Sequence, residues 1–145
     1  MRLTAFTDYS LRVLIFLAIR EEEKSTISEI AQSYDISKNH LMKVVQELSQ
    51  KEYITATRGK NGGLYIKRSP EQINIGTLVR ELENDWALVE CFGLDNQCKI
   101  TPECGLRSVF QEALDAFFAT LEQYTLADLL AGDRPSKLAK LLLID

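Results

Sequence analysis

The chain has three cysteines, Cys91, Cys98 and Cys104, all within ECFGLDNQCKITPECGL at residues 90–106. Gaps of six and then five residues separate them. Thiolates are soft donors, so three in one short stretch suit a metal site, a redox pair with one thiol left over, or an iron–sulfur cluster. Zinc requires a fourth ligand and favours shorter spacings. The only histidine, His40, lies in a helix assigned below to a different task. Iron–sulfur clusters accept thiolates at varied spacing, and a three-cysteine set leaves one iron to a weaker ligand that a small molecule can reach. Three inert, buried thiols are the remaining reading. Gly93, Asp95, Asn96 and Pro102 make the stretch polar and turn-rich, which argues against burial.

The elements that would position such a loop can be read from the rest of the chain. With 145 residues, 46% of them hydrophobic, one compact core is expected. The net charge of −4 is unevenly spread. Residues 1–68 carry 11 Lys+Arg against 8 Asp+Glu, whereas residues 69–145 carry 6 against 13. Leu11–Ile19 is apolar, but Asp8 precedes it and Arg20 leads into Glu21–Glu23, so neither an export signal nor a membrane span is expected. A reducing cytoplasm is the expected compartment, where clustered thiols bind metal more often than they form disulfides.

Helical periodicity predicts a first helix over about Thr7–Arg20, with Leu11, Leu14, Ile15 and Ala18 on one face. A second helix follows, capped by Thr26 or Ser25, with Ile27, Ile30 and Ala31 facing inward. Ser25 and Ser28 have Ser28 and Ala31 three residues on, so no capping box is expected there. Tyr34-Asp35-Ile36 reads as a short turn. The third helix is expected from Ser37 as N-cap to about Lys51, burying Leu41, Val44, Val45 and Leu48. Tyr53–Thr57 and Leu64–Ile66 read as strands around the turn Gly59-Lys60-Asn61-Gly62-Gly63. This order predicts a mainly α protein with a winged helix-turn-helix and a two-stranded wing. Ile75–Glu83 is a further short helix. From Gly105, the stripe Leu106, Val109, Phe110, Ala113, Leu114, Phe117, Leu121 and Tyr124 predicts a long C-terminal helix needing a partner surface. A homodimer supplies one; packing back onto its own domain is the alternative. The expected organisation is a DNA-binding domain over 1–68, a short helix and cysteine loop over 69–104, and a dimerisation helix with tail over 105–145.

Within residues 36–68, seven basic residues stand against two acids. The first turn of the third helix, Ser37, Lys38, Asn39 and His40, presents polar groups able to reach base edges or phosphates, with Lys43 on the same exposed side. Arg58, Lys60 and Asn61 sit in the wing tip, where Gly62 and Gly63 allow close backbone approach to DNA. Double-stranded operator DNA is the expected partner. One histidine, no nucleophile elbow, no P-loop and no dinucleotide fingerprint leave little from which to assemble a catalytic site.

MRLTAFTDYSLRVLIFLA, ISKNHLMKVVQEL, RGKNGG, INIGTLVRELE, the three-cysteine loop ending ITPECGL, and YTLADLL together resemble the NsrR-type nitric-oxide-sensing repressors. These belong to the Rrf-two superfamily, as do the IscR-type iron–sulfur regulators. The resemblance spans nearly the whole chain. It implies a homodimer holding an iron–sulfur cluster of 4Fe-4S type, with 2Fe-2S as the other form. The cluster would be held through Cys91, Cys98 and Cys104, and Asp8 in FTDYS matches the fourth ligand, contributed by the partner subunit. IscR-like members carry a histidine three residues after the last cysteine, where this chain has Arg107. The resemblance further implies nitric oxide as the signal that lifts repression. From helical spacing alone, Arg12 lies one turn beyond Asp8 and can pair with it. A related iron–sulfur or iron-homeostasis regulator of the IscR type, a zinc-binding interaction module and a thiol redox switch are the rival readings.

Overall fold

The computed structural model describes residues 1–145. Helix α1 spans Ala5–Arg20 and starts two residues earlier than its apolar period suggests. The reason is Thr4, whose side chain accepts from the Thr7 N–H as N-cap. Helix α2, Ile27–Tyr34, begins at Thr26. Here the expectation of no capping box is corrected. The Thr26 hydroxyl accepts from the Glu29 N–H at 3.1 Å, and the Glu29 carboxylate accepts from the Thr26 N–H at 2.8 Å. The signature was present one residue away from the serines on which the expectation rested.

Asp35 ends α2 in the left-handed region at φ 53°, and the Ile36 N–H donates back to the Ala31 carbonyl at 3.0 Å. Asp tolerates this conformation better than most residues, so the tight turn needs no glycine. Helix α3, Lys38–Gln50, then buries Leu41, Val44, Val45 and Leu48 against α1 and α2. Ser37 stands at its N-cap without a side-chain cap bond.

Strands β1, Ile54–Thr57, and β2, Gly63–Ile66, pair antiparallel in the register Ile54 to Ile66 and Thr57 to Gly63. A bridge between Ser25 and Leu64 ties the wing to the α1–α2 link, with N–H to carbonyl distances of 3.2 and 2.7 Å. A Cβ on Gly63 would collide with the Lys24 side chain, so glycine is required by this close approach. At the base of the wing Tyr53 is buried, donates its hydroxyl to Glu81 at 2.6 Å, and lies under the Arg68 guanidinium at 4.0 Å.

Helix α4, Ile75–Leu82, presents Ile75, Leu78, Val79 and Leu82 to the core. Helix α5, Leu106–Leu121, crosses against it. The tail beyond α5 is not featureless. Helix α6, Leu126–Leu129, starts with a Thr125–Asp128 capping box, and α7 covers Arg134–Leu141. Leu126 is fully buried and its N–H donates to the Ile73 carbonyl at 2.8 Å. One hydrophobic cluster runs from Val13 through Leu126 to Leu142.

Two measurements test this packing. A Cβ on Gly76 would lie 2.7 Å from the Glu122 backbone nitrogen. Gly76→Ala should therefore wedge α4 from α5 and cost about 1–3 kcal/mol in urea unfolding; a loss too small to measure would mean the contact is loose. The second concerns Tyr53, whose pKa is pushed up to about 12, by burial first and the Glu81 hydrogen bond second. A raised folded-state value contributes stability that is complete below pH 10 and is lost as pH rises towards 12. Tyr53→Phe should flatten that alkaline loss of stability, and an unchanged profile would assign it elsewhere.

Candidate DNA-reading face and thiol loop

With Leu41, Val44, Val45 and Leu48 turned inward, α3 presents Lys38, Asn39, Met42, Lys43 and Gln46 on its exposed side. Met42 and Gln46 were not among the residues singled out from sequence. The detectable signal for Met42 was an apolar side chain on an otherwise polar helical face. Ser37 is exposed at the helix entry. His40 is exposed too, but its ring packs against Tyr9 of α1, with centroids 5.8 Å apart and planes tilted by 48°.

In the wing, Arg58, Lys60 and Asn61 are exposed at the tip. Gly59 has φ +101°, and the Gly62 N–H donates to the Gly59 carbonyl at 3.0 Å, closing the turn. A Cβ on Gly62 would run into the Thr57 carbonyl. Gly63 is buried at the start of β2, exchanging bonds with the Thr57 hydroxyl. Its lack of a Cβ leaves room for the Lys24 side chain, so it serves internal packing as well as the bend.

Charge pairing sorts the seven cations of this region. Lys51 pairs with Glu47 at 3.4 Å and Lys67 with Glu52 at 2.9 Å, while Arg68 stacks on Tyr53 and donates to the Lys51 carbonyl. Lys67 also holds the Glu52 carboxyl below its usual range. Lys38, Lys43, Arg58 and Lys60 take part in none of the ion pairs of the molecule. The four free cations are those on the reading helix and the wing tip. That is the charge a polyanion can use.

Asp8, in the first turn of α1, is bound by Arg12 at 2.7 Å, as the spacing of four predicts. Arg12 also lies over the rings of Tyr9 at 5.5 Å and Tyr34 at 5.9 Å. The Tyr34 hydroxyl donates to the Arg12 carbonyl at 2.9 Å, and burial pushes its pKa up to about 12 against the opposing pull of Arg12. The start of α1 is held from below by Glu83, a buried carboxylate that accepts from the Thr4 N–H at 2.7 Å and the Thr4 hydroxyl at 3.0 Å. This clasp links residues 79 apart in sequence, and no local pattern announces it.

The thiol loop consists of two short 3-10 turns, Glu90–Phe92 and Thr101–Glu103, joined by side-chain bonds. Asn96 accepts from the Cys98 N–H at 3.0 Å and donates to the Thr101 hydroxyl at 2.9 Å. All three cysteines are free thiols; Cys98 is exposed, and Cys91 and Cys104 are half-buried. The structure does not gather three His, Cys, Asp or Glu side chains about a common point. The four ligands implied by the resemblance are therefore not assembled within this single chain. Their donor chemistry nevertheless fits a thiolate-bound iron–sulfur group: three unpaired, accessible thiols with no competing histidine nearby.

No residue between Glu83 and Leu114 is buried. The apolar stripe of α5 is split accordingly. Leu114 and Phe118 are buried, with Trp86 edge-on to Phe118 at 4.5 Å and Arg80 over its ring at 3.7 Å. Leu106, Val109 and Phe110 remain exposed. The C-terminal half of the stripe packs back onto the chain's own domain, and the N-terminal half is left uncovered. Phe118 supplies the internal anchor and was absent from the sequence-derived stripe.

Replacing Arg58 or Lys60 by Ala should flatten the salt dependence of DNA affinity by about one unit per lost phosphate contact. Lys67→Ala, which removes a paired cation, should leave the slope unchanged. A titration series over monovalent salt checks both, and equal slopes for all three variants would remove the wing tip from the interface.

A family model described as Rrf2, iron-dependent transcriptional regulator, matches residues 3–132. The HTH-type transcriptional regulator NsrR of Bacillus subtilis is 54% identical over 131 residues, 89% of this chain and 90% of its own. Its counterpart in Bacillus licheniformis is 52% identical over 132 residues, 90% and 92% of the two chains. A crystal structure of a Listeria innocua chain superposes with a TM-score of 0.73 at 28% identity, covering 90% of this chain and 86% of that one. Matched in family over residues 3–132 and in fold over 90% of its length, the chain belongs to the Rrf2 family of iron-dependent transcriptional regulators.

Proposed function

We propose that the chain is a homodimeric, cytoplasmic repressor whose hold on operator DNA depends on an iron–sulfur cluster held by Cys91, Cys98 and Cys104, with nitric oxide as the signal. The observation that carries this is the thinly packed stretch from residue 84 to 113, which contains all three free thiols and no fully buried residue, and of whose side chains only Trp86, Leu88 and Phe92 pack against the core. Ordering such a stretch costs conformational entropy that the single chain does not recover by burial. A thiolate-bound group inside the loop, and a second copy against Leu106, Val109 and Phe110, together supply what is missing. The names of the NsrR relatives support the nitric oxide signal. When bound, the cluster supplies reactive iron to the gas.

The chain's own residues then account for the coupling. Asp8 is the fourth ligand, given to the partner's loop, and it lies four residues into a helix anchored by Thr4 and Glu83. To serve there it must leave Arg12, which keeps its seats over Tyr9 and Tyr34. Tyr9 in turn packs on His40 at the entry to the reading helix. In the proposed organisation, residues 1–68 bind DNA, 69–104 hold the cluster and the helix beginning at 105 forms the dimer. Loss of the ligands frees the loop and α5, and with them the spacing of the two reading helices on a two-fold operator. A full switch between 99:1 and 1:99 occupancy requires about 5.5 kcal/mol of differential stabilisation.

Protein purified without oxygen should be brown, should bleach on nitric oxide addition, and should release operator DNA in step with the bleaching. Cys98→Ala should abolish the colour, and Asp8→Ala should lose it faster than the unaltered chain. A colourless protein that holds its operator tightly and ignores nitric oxide would overturn the reading.

A further inference from the structure

On the DNA-reading face, one exposed side chain cannot be explained by phosphate attraction. Met42 is 51% exposed in the middle of α3, although the inward side of that helix is already filled by Leu41, Val44, Val45 and Leu48. Each residue turns a helix by about 100°. On that geometry Lys38, Met42 and Gln46 form the ridge of the exposed face, flanked by Asn39 and Lys43. His40 falls on the far flank, where Tyr9 occupies its ring. From Ile36 to Gln46 the chain carries no carboxylate, and Lys38 and Lys43 are unpaired. The occupant of this face is therefore polyanionic, yet its central contact is apolar.

We infer that Met42 and Gln46 are specificity-determining residues that read A·T base pairs in the major groove, Met42 packing on a thymine methyl and Gln46 bonding an adenine one helical turn further on. The only apolar group exposed on major-groove base edges is the thymine methyl. Cytosine presents an amino donor at the corresponding edge, and a thioether is too weak an acceptor to satisfy it. Glutamine has the paired acceptor and donor that match adenine N6 and N7. Lys38 and Lys43 hold the helix to the phosphates on either side without selecting sequence. The inference rests on α3 entering the major groove, a premise that the test separates from the roles of these two residues.

The full chain, purified anaerobically, would first select its half-site from a random duplex pool. Each thymine of that site would then be replaced singly by uracil, which removes the 5-methyl and leaves pairing intact. One position per half-site should weaken binding about fourfold, the effect of one lost methyl contact. In Met42→Ala the same replacement should have no effect, whereas Met42→Leu should retain it. Gln46→Ala should relax the preference for A·T at the neighbouring position by about tenfold. Uniform tolerance of uracil in the unaltered chain, or a uracil effect that survives in Met42→Ala, would overturn the assignment of Met42. An undiminished A·T preference in Gln46→Ala would overturn that of Gln46. Failure of the unaltered chain to bind any duplex would instead overturn major-groove entry itself, and both assignments with it.

Discussion

The packing of α3 onto α1 and α2 is the contact on which the rest depends. Leu41 and Leu48 are fully buried, Val44 nearly so, and Val45 closes the seam. Two of these four are β-branched and stiff at the first side-chain torsion. A helix seated on such a stripe has little freedom to roll, so the direction of its outer ridge is set by its inner one. Lys38, Met42 and Gln46 are presented because Leu41, Val44 and Leu48 are consumed. The wing is held to the same frame through the Ser25–Leu64 bridge and the buried Tyr53, so helix and tip move as one surface.

Residues 84–113 obey the opposite logic. Phe118 and Leu114 moor the C-terminal half of α5 to α4 through Trp86 and Arg80, while the N-terminal half and the thiol loop before it hold no fully buried residue. A helix of this length with apolar residues at its free end is stable only when that end is covered. The chain thus consists of a firmly packed helical core with its wing and a thinly packed stretch that exposes the thiols and one end of α5. Regulatory elements are drawn from the less stable parts of a protein. The two parts meet at the Thr4–Glu83 clasp, where the end of α4 grips the start of α1.

Electrostatics follows the same division. The net charge of −4 would repel DNA if it were spread evenly. It is not: in the basic stretch 36–68, acids beside the wing pair with Lys51 and Lys67 and leave Lys38, Lys43, Arg58 and Lys60 unpaired. Within residues 36–68 the unpaired lysines and the wing-tip arginine lie together on the outer face of α3 and the wing, and global charge says little about partner choice.

The sequence alone determined the main elements from α1 to α5 and their order. Spacings of three and four residues fixed the faces of α3 and α4, and the glycine-rich turn fixed the wing, because these are local preferences repeated over many residues. In α1, by contrast, the core also takes Val13, Phe16 and Leu17 and leaves Leu11 and Ile15 half-buried. The sequence also placed all three cysteines in one polar loop, which the structure leaves as free thiols. Where local signals were brief, they were easily missed: the Thr26–Glu29 box turns on one position, and the capping box at Thr125 begins a helix of only four residues. Other features depended on residues far apart in the chain meeting in space. The grip of Glu83 on Thr4, the burial of Phe118 beneath Arg80, the stacking of His40 on Tyr9 and the sorting of cations into paired and free are all of this kind. Tertiary structure alone decided which half of the α5 stripe the chain covers for itself, because a periodic pattern records that a face is apolar but not what lies against it.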